Sequence, residues 1–514
     1  MPIVAALSGA LTSLAFPPHD LGPLAWVSLV PMFYVLGRVR GAASGALCGL
    51  VFGLAFMGTL LGSFTLWGLL PWLVLSAYQA LYFALFGALA GPAMRCGSPL
   101  IRPFAAAAAY ALGPCLLRSG FRLAPFSAGD LALSQYDHAT VIQVCSVFGQ
   151  LGLTFLIALV NAALAQGLLG VLPARFRSAP MDTPAWSRTA SGVAVLAYGL
   201  VFCVYFGGAY VLARANTPTG GPELSVAIVQ GAVPVADGAQ SAEIAARTYT
   251  SLNETVPPDT DLTIWPESAV PGFFTLDPPV QDALRQGAGR FTGHLLAGSL
   301  EVEGDRHYNA ALLLNPEGQI VDRYHKNDLV MFGEWVPLRD KLPLLSRYPI
   351  RRHDLSPGRG RKVFDVSGVK VAPLICFEAI FSDPTREVCR MGAQMVAVLT
   401  SDAWAQGTVE AAQHSATGPF RAVEARKYVC RAASDGRSAI YDPWGRPLAQ
   451  VPVGLPGVIA ESLPAVDGLS IYHRIGNAPL VTVCILLIIV GWVAGWQEGG
   501  RPHAATDRHS VQSH

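Results

Sequence analysis

Three side chains whose chemistries complement one another end apolar runs in this chain. Val369–Ile375 is an apolar run that stops at Cys376, with Glu378 two residues on. A strand ending in a sharp turn presents its last side chain at the edge of a sheet, where a nucleophile can meet a substrate. A thiolate attacks esters and amides, but a free thiol has a pKa of ~8.5 and needs a base or a cation beside it. Leu262-Thr263-Ile264-Trp265-Pro266 delivers Glu267, and an apolar setting that raises a carboxylate's pKa suits a general base. Ile320–His325 delivers Lys326, the first of only five lysines in a chain with 31 arginines. Where this chain needs a generic surface cation it uses Arg, so a Lys here fits a compact charge that holds an oxyanion. Each residue also has a plain structural reading. Cys376 could be a core residue, Glu267 a turn cap for Ser268 or half of a salt bridge, and Lys326 a solvated strand end.

No competing set of residues is present. The sequence has no GxSxG elbow, HExxH, P-loop or GxGxxG, and its eleven histidines lack metal-ligand spacing, so no metal and no cofactor is expected. Nine scattered cysteines without a CxxC make neither a disulfide framework nor a zinc site. The Arg351-Arg352 and Arg359–Lys362 clusters read as loop solvation, with lipid-headgroup contact as a weaker alternative.

The elements that must position the three residues divide in two. The 514 residues are 52% hydrophobic and 14% charged, with mean hydropathy +0.40 and a net charge of +1. Soluble domains carry roughly 25% charged residues, so much of this chain belongs in or under lipid, and the small net charge argues against a nucleic-acid footprint. Before Glu223 there is no Glu and no Lys. A hydrocarbon core of ~30 Å needs about 20 apolar residues per helix. Spans are expected near 3–16, 22–37, 42–66, 68–91, 101–118, 139–172 and 192–213, with a last one from Ala478 to Trp496. Arg38, Arg40, Arg95, Arg102, Arg175, Arg177 and Arg188 fall on one side of this arrangement, which should be cytoplasmic. Intramembrane Asn161 and Gln150 read as helix–helix hydrogen-bonding groups.

From about 222 to 463 short strands alternate with helical stretches such as Pro279–Gln286 and Pro419–Tyr428. The strands are apolar enough to be buried on both faces, an α/β pattern of one large domain. The organisation expected is a membrane domain at 1–219, an extramembrane catalytic domain at 220–465, a C-terminal transmembrane helix at 474–497 and a disordered cytoplasmic tail at 498–514.

The order Glu, Lys, Cys carries a resemblance. Ile264-Trp265-Pro266-Glu267-Ser268, Tyr324-His325-Lys326-Asn327 with Phe332-Gly333-Glu334-Trp335-Val336-Pro337, and Ile375-Cys376-Phe377-Glu378 resemble the nitrilase superfamily. With several spans before the domain and one after, the resemblance narrows to its membrane branch, the bacterial apolipoprotein N-acyltransferase family. Leu14-Ala15-Phe16-Pro17-Pro18, Ser134-Gln135-Tyr136, Thr400-Ser401-Asp402-Ala403-Trp404 and Tyr441-Asp442-Pro443-Trp444-Gly445-Arg446 extend it over nearly the whole chain.

That resemblance implies an αββα sandwich outside the membrane and a triad of Glu267, Lys326 and Cys376. Glu334 and Glu378 would be supporting carboxylates, and Trp335, Phe377 and Trp404 candidate substrate contacts. It implies a ping-pong transfer through a cysteine thioester, from phospholipid, usually phosphatidylethanolamine, to the N-terminal amine of S-diacylglyceryl-cysteine on apolipoproteins. It also implies the bacterial inner membrane, with the catalytic domain periplasmic. Two departures stand out: Phe377 replaces the family's frequent Tyr, and no Trp follows Val229-Gln230-Gly231 within Pro234–Gln240. The long loop Phe332–Pro357 is expected as a mobile lid or as ordinary packing. Rival readings are a membrane-tethered amidase or nitrilase using the same triad, and a non-enzymatic membrane scaffold.

Overall fold

The apolar runs before residue 216 fold as helices that leave their hydrophobic faces outward. A computed structural model describes the chain except residues 40, 120–128, 172–183, 216–220, 234–238, 338, 340, 342–353, 403–407 and 500–514. Among the described residues, five helices are long and apolar enough to cross a membrane: Gly41–Leu60, Leu69–Ala93, Cys145–Leu169, Arg188–Ala213 and Ala478–Gln497. Pro2–Ser13 is a shorter apolar helix, and Ile101–Ser119 packs between the Leu69–Ala93 and Cys145–Val171 helices. The tail beyond residue 499, expected to be disordered, lies outside the described residues.

The run expected as one span at 22–37 is not one helix. Gly22–Trp26 is a 3-10 turn and Val30–Leu36 a separate short helix, each with a Pro in its first two positions. A break frees backbone groups that lipid cannot satisfy, so other chain segments must. Asn161 does so from the neighbouring long helix. Its Oδ1 accepts from the Leu29 N–H at 2.9 Å and its Nδ2 donates to the Ala25 carbonyl at 2.9 Å. Ser8 adds a bond to the Ser28 carbonyl at 2.6 Å.

Past residue 220 two six-stranded sheets lie face to face. With β1 Glu223–Gln230, β2 Leu262–Ile264, β3 His294–Glu303, β4 Arg306–Leu314, β5 Ile320–His325 and β12 Gly457–Pro464, the first runs β12-β1-β2-β3-β4-β5. The second runs β11-β10-β9-β8-β7-β6, with β6 Phe364–Val366, β7 Val369–Ile375, β8 Met395–Thr400, β9 Tyr428–Ala433, β10 Ser438–Tyr441 and β11 Pro447–Val451. Pairs β1–β2, β2–β3, β7–β8 and β8–β9 are parallel. Between the sheets lies a core of Leu224, Ile228, Leu296, Val371, Met395, Leu399 and Cys430, among others. Helices Ala239–Asn253 and Pro278–Ala288 cover the outer face of one sheet, Ser382–Arg390 and Gly418–Ala425 that of the other. These four layers are the expected αββα sandwich.

The helix expected at Pro419–Tyr428 ends earlier. Arg426 takes a left-handed conformation (φ 54°) as its C-cap, and the chain enters β9, a strand absent from the expected set. Its central Arg431 is 1% exposed and tolerated there because the Asp402 carboxylate meets it at 2.8 Å.

Replacing Asn161 with Leu should lower the melting midpoint in detergent, by about 1–3 kcal/mol, because the Leu29 amide and Ala25 carbonyl lose their partner. An unchanged midpoint would contradict the assigned role.

Candidate active site

Each of the three residues sits just past the end of a strand, and local backbone geometry explains why. At Glu267 the chain leaves β2 through Trp265-Pro266, with Trp265 donating its N–H to the Leu296 carbonyl (2.9 Å) and its indole N–H to Asn253 (3.1 Å). Gly298 on the adjacent strand lies directly under the Glu267 backbone, and a Cβ there would collide with the Glu267 Cα. Lys326 ends β5, its N–H bonded to the Asn309 carbonyl and its carbonyl to the Gly358 N–H, both at 2.8 Å.

Cys376 opens a 3-10 turn, Cys376–Ile380, at φ 51°. A left-handed non-glycine residue costs of order 1–3 kcal/mol, and persists only where its surroundings over-determine it. Glu378 supplies part of that determination by accepting the Ile375 N–H at 2.8 Å.

The charges converge. The Lys326 Nζ lies 3.0 Å from Glu334 and 3.6 Å from Glu267, and the lysine is 1% exposed. Asn309 bridges the two carboxylates, donating from Nδ2 to Glu267 at 2.6 Å and to Glu334 at 2.8 Å. The second oxygen of Glu267 accepts the Ser401 N–H, and that of Glu334 the Val330 N–H, both at 2.8 Å. Burial alone would push the Lys326 ammonium down, but Glu334, Glu267 and then Cys376 hold it well above the usual lysine range. Burial would raise Glu334, yet Lys326 holds its carboxyl below the usual value. Burial pushes the Cys376 thiol well up, Glu267 adds to that, and Lys326 with the Thr400 hydroxyl opposes it. The resting sulfur is therefore a protonated thiol within the electrostatic reach of a carboxylate and an ammonium.

Behind this group stands a second buried cluster. Glu378, fully buried, accepts from the Tyr324 hydroxyl (2.7 Å), the Asn327 N–H (2.8 Å) and the Asp328 N–H (3.2 Å), and pairs with the Arg361 guanidinium. It thus ties the turn carrying Cys376 to the strand end carrying Lys326. Arg361 departs from the expectation of loop solvation: its side chain is 6% exposed, whereas neighbouring Lys362 is 48% exposed.

Phe377 is buried with its ring edge-on to Phe381 at 5.1 Å between centroids. Trp335 is half-buried beside Val336, and Phe332 N–H donates to the Trp335 carbonyl at 2.8 Å. Trp404 lies outside the described residues, as does the stretch 234–238 where a Trp was lacking. Of the expected lid, residues 338, 340 and 342–353 lie outside them too, while the returning end is pinned by Leu355 N–H to the Glu334 carbonyl (2.8 Å). Sequence reasoning missed Asn309 and the Ser401 amide. Asn309 had a signal: a lone amide within the strand run Tyr308–Leu314 must find buried partners.

Residues 225–465 match the carbon-nitrogen hydrolase family and residues 8–163 the apolipoprotein N-acyltransferase N-terminal domain. The sandwich is thus a carbon-nitrogen hydrolase domain, joined to a membrane domain. The apolipoprotein N-acyltransferase of Geobacter metallireducens is 30% identical over 494 residues, covering 92% of this chain and 91% of that protein. The one from Bradyrhizobium diazoefficiens is 28% identical over 530 residues, covering 95% and 94%. Among solved structures, Saccharomyces cerevisiae Nit3, of branch 10 of the nitrilase superfamily, is similar at 21% identity and TM-score 0.38, covering 48% of this chain and 93% of that one. This chain belongs to the apolipoprotein N-acyltransferase family and is a multi-pass membrane protein.

Two outcomes are expected. Glu378→Gln takes from Arg361 its fully buried counter-charge, leaving only the half-exposed Asp328 and Glu387, and should cost about 3 kcal/mol, read as a lower melting midpoint. Alkylation of Cys376 should keep accelerating as pH rises past ~8.5, the ordinary thiol value, because burial and Glu267 favour the protonated form. A rate that levels off by pH 8 would contradict the high thiol pKa.

Proposed function

We propose that Cys376 is the nucleophile, Glu267 the general base and Lys326 the oxyanion-holding cation of a phospholipid-dependent N-acyl transfer to apolipoproteins. The observation that carries this reading is a buried ammonium shared by Glu267 and Glu334, on a strand end that Glu378 ties to the turn opened by Cys376. Glu334 neutralises Lys326, which leaves Glu267 free to exchange a proton.

In the first half-reaction Glu267 takes the Cys376 proton and the thiolate attacks an acyl ester carbonyl of phosphatidylethanolamine. Lys326 holds the tetrahedral oxyanion. As the C–O bond breaks, Glu267 returns its proton to the leaving alkoxide, giving a lysophospholipid and a thioester. In the second, the neutral α-amine of an S-diacylglyceryl-cysteine attacks the thioester. Glu267 takes a proton from that amine, the C–S bond breaks, and the proton passes back to the sulfur. Trp335, Phe377 and Trp404 contact the lipid substrates in this scheme.

Residues 1–219 and 474–497 then form the membrane domain, 220–465 the catalytic domain on the periplasmic side of the inner membrane, and 498–514 a cytoplasmic tail. The distribution of arginines in the short loops supports that orientation. Anchoring serves the chemistry: exposing acyl chains to water costs ~0.8 kcal/mol per CH₂, so the site must come to the lipid.

Purified protein in mixed micelles, given acyl-labelled phosphatidylethanolamine and a diacylglyceryl lipopeptide, should move label into an amide at the peptide's N-terminus. Cys376→Ala and Glu267→Gln should each lower that transfer about 10³-fold or more while the protein still inserts. Label released only as free fatty acid would overturn the transferase reading.

A further inference from the structure

The long helix Cys145–Val171 breaks at Gly149, whose φ of 66° and ψ of 179° are not helical. The break is built in: a side chain at Gly149 would run into the Tyr472 ring. It gives the helical segment after Gly149 an N-terminus, and the first amide of such an end has no intrahelical acceptor. The Gln150 N–H is capped at 2.8 Å by Glu424, a residue of the catalytic domain's helix Gly418–Ala425. A carboxylate from one domain thus caps a helix of another.

Glu424 is fully buried and needs compensation. Arg421, 1% exposed, pairs with it at 3.0 Å, and the Ser382 hydroxyl donates to it at 3.0 Å. The same guanidinium reaches both ways. It donates to the Gln150 side-chain oxygen at 2.8 Å, and to the carbonyl of Ile380 at 3.3 Å. Gln150 is itself fixed on the membrane side, where its Nε2 donates to Asp130 at 2.8 Å and Asp130 also takes the Thr154 hydroxyl. Ile380 is the last residue of the 3-10 turn that Cys376 begins.

We propose that the membrane domain positions the nucleophile: the break after Gly149, through Gln150, Glu424 and Arg421, fixes the far end of the turn that holds Cys376 in its left-handed conformation. Glu378 holds the near end from within the catalytic domain. With both ends fixed, the strained residue has no cheaper conformation to relax into. Gln150, Arg421 and Glu424 are positioning residues, and no reacting atom touches them. The inference rests on Cys376 being the nucleophile.

The test uses full-length protein in phospholipid micelles and follows Cys376 by peptide mass spectrometry, for thioester formation and separately for alkylation by iodoacetamide. Gln150→Ala should slow thioester formation at saturating phospholipid about tenfold or more, with the half-saturating phospholipid concentration unchanged, and should slow alkylation in parallel. Gln143→Ala is the control. It removes a different bridge between the same domains, the bonds to the Trp444 carbonyl (2.8 Å) and Arg426 (2.7 Å). It should lower the melting midpoint without slowing either reaction. Glu424→Asp keeps the charge but withdraws it from the Gln150 amide, and gives the same comparison if Gln150→Ala does not fold. Wild-type rates in both folded variants would overturn the positioning role, as would equal slowing by Gln143→Ala. A wild-type protein alkylated at Cys376 that never forms a thioester would instead overturn the donor reading in the preceding section.

Discussion

One buried ammonium organises this molecule. Lys326 is almost wholly withdrawn from water, and an uncompensated charge there would cost several kcal/mol. Its compensation requires a carboxylate from the end of β2 and another from the loop after β5, an amide from β4 that bridges them, and backbone N–H groups for their outer oxygens. Apart from Asn309, which lies within β4, those groups come from strand ends and the loops that follow them. The parallel pairs in each sheet make that possible, because strands running the same way release their ends together. The asymmetry within the cluster then carries the chemistry. Glu334 accepts from Lys326 at 3.0 Å, while Glu267 stands off at 3.6 Å; in the proposed reaction the first balances charge and the second handles protons.

The second constraint is conformational. Cys376 occupies backbone space that costs energy, and two buried ion pairs flank it. The Arg361–Glu378 pair belongs to the catalytic domain alone. The Arg421–Glu424 pair is shared with the membrane domain through Gln150. Neither pair is an efficient stabiliser in itself, since desolvation offsets most of its attraction. Both instead specify geometry, and the proposed reaction, which needs a thiol held between a base and an oxyanion donor, depends on geometry within fractions of an ångström.

Much of this was legible in the sequence, for a physical reason. A polar residue that ends an apolar run is forced to a sheet edge, so Glu267, Lys326 and Cys376 could be read as strand-end residues; the structure sets Glu267 3.6 Å from Lys326 and Cys376 just past the end of β7. What stayed hidden depends on remote partners. Arg361 sits in a basic cluster that reads as solvated, and only the position of Glu378 shows that it is buried. Gln150 read as a bond between membrane helices; its partners are Arg421 in the catalytic domain and Asp130 in a loop. Hydropathy could not show that 22–37 is broken, because the groups that make the break tolerable lie on Asn161. Strand β9 was missed because Arg431 interrupts its apolar run, and its counter-charge, Asp402, is 29 residues away.

In the proposed reaction the Cys376 thiol becomes a nucleophile only in the company of Glu267 and Lys326. The most direct test is the mass of the Cys376 peptide after the protein meets phospholipid with no acceptor present. The account predicts one acyl group per chain on that sulfur, labile to hydroxylamine, stable until an N-terminal amine is supplied, and missing from Lys326→Met. An unmodified sulfur in the wild type, or an acyl group that still accumulates at the normal rate without Lys326, would contradict it.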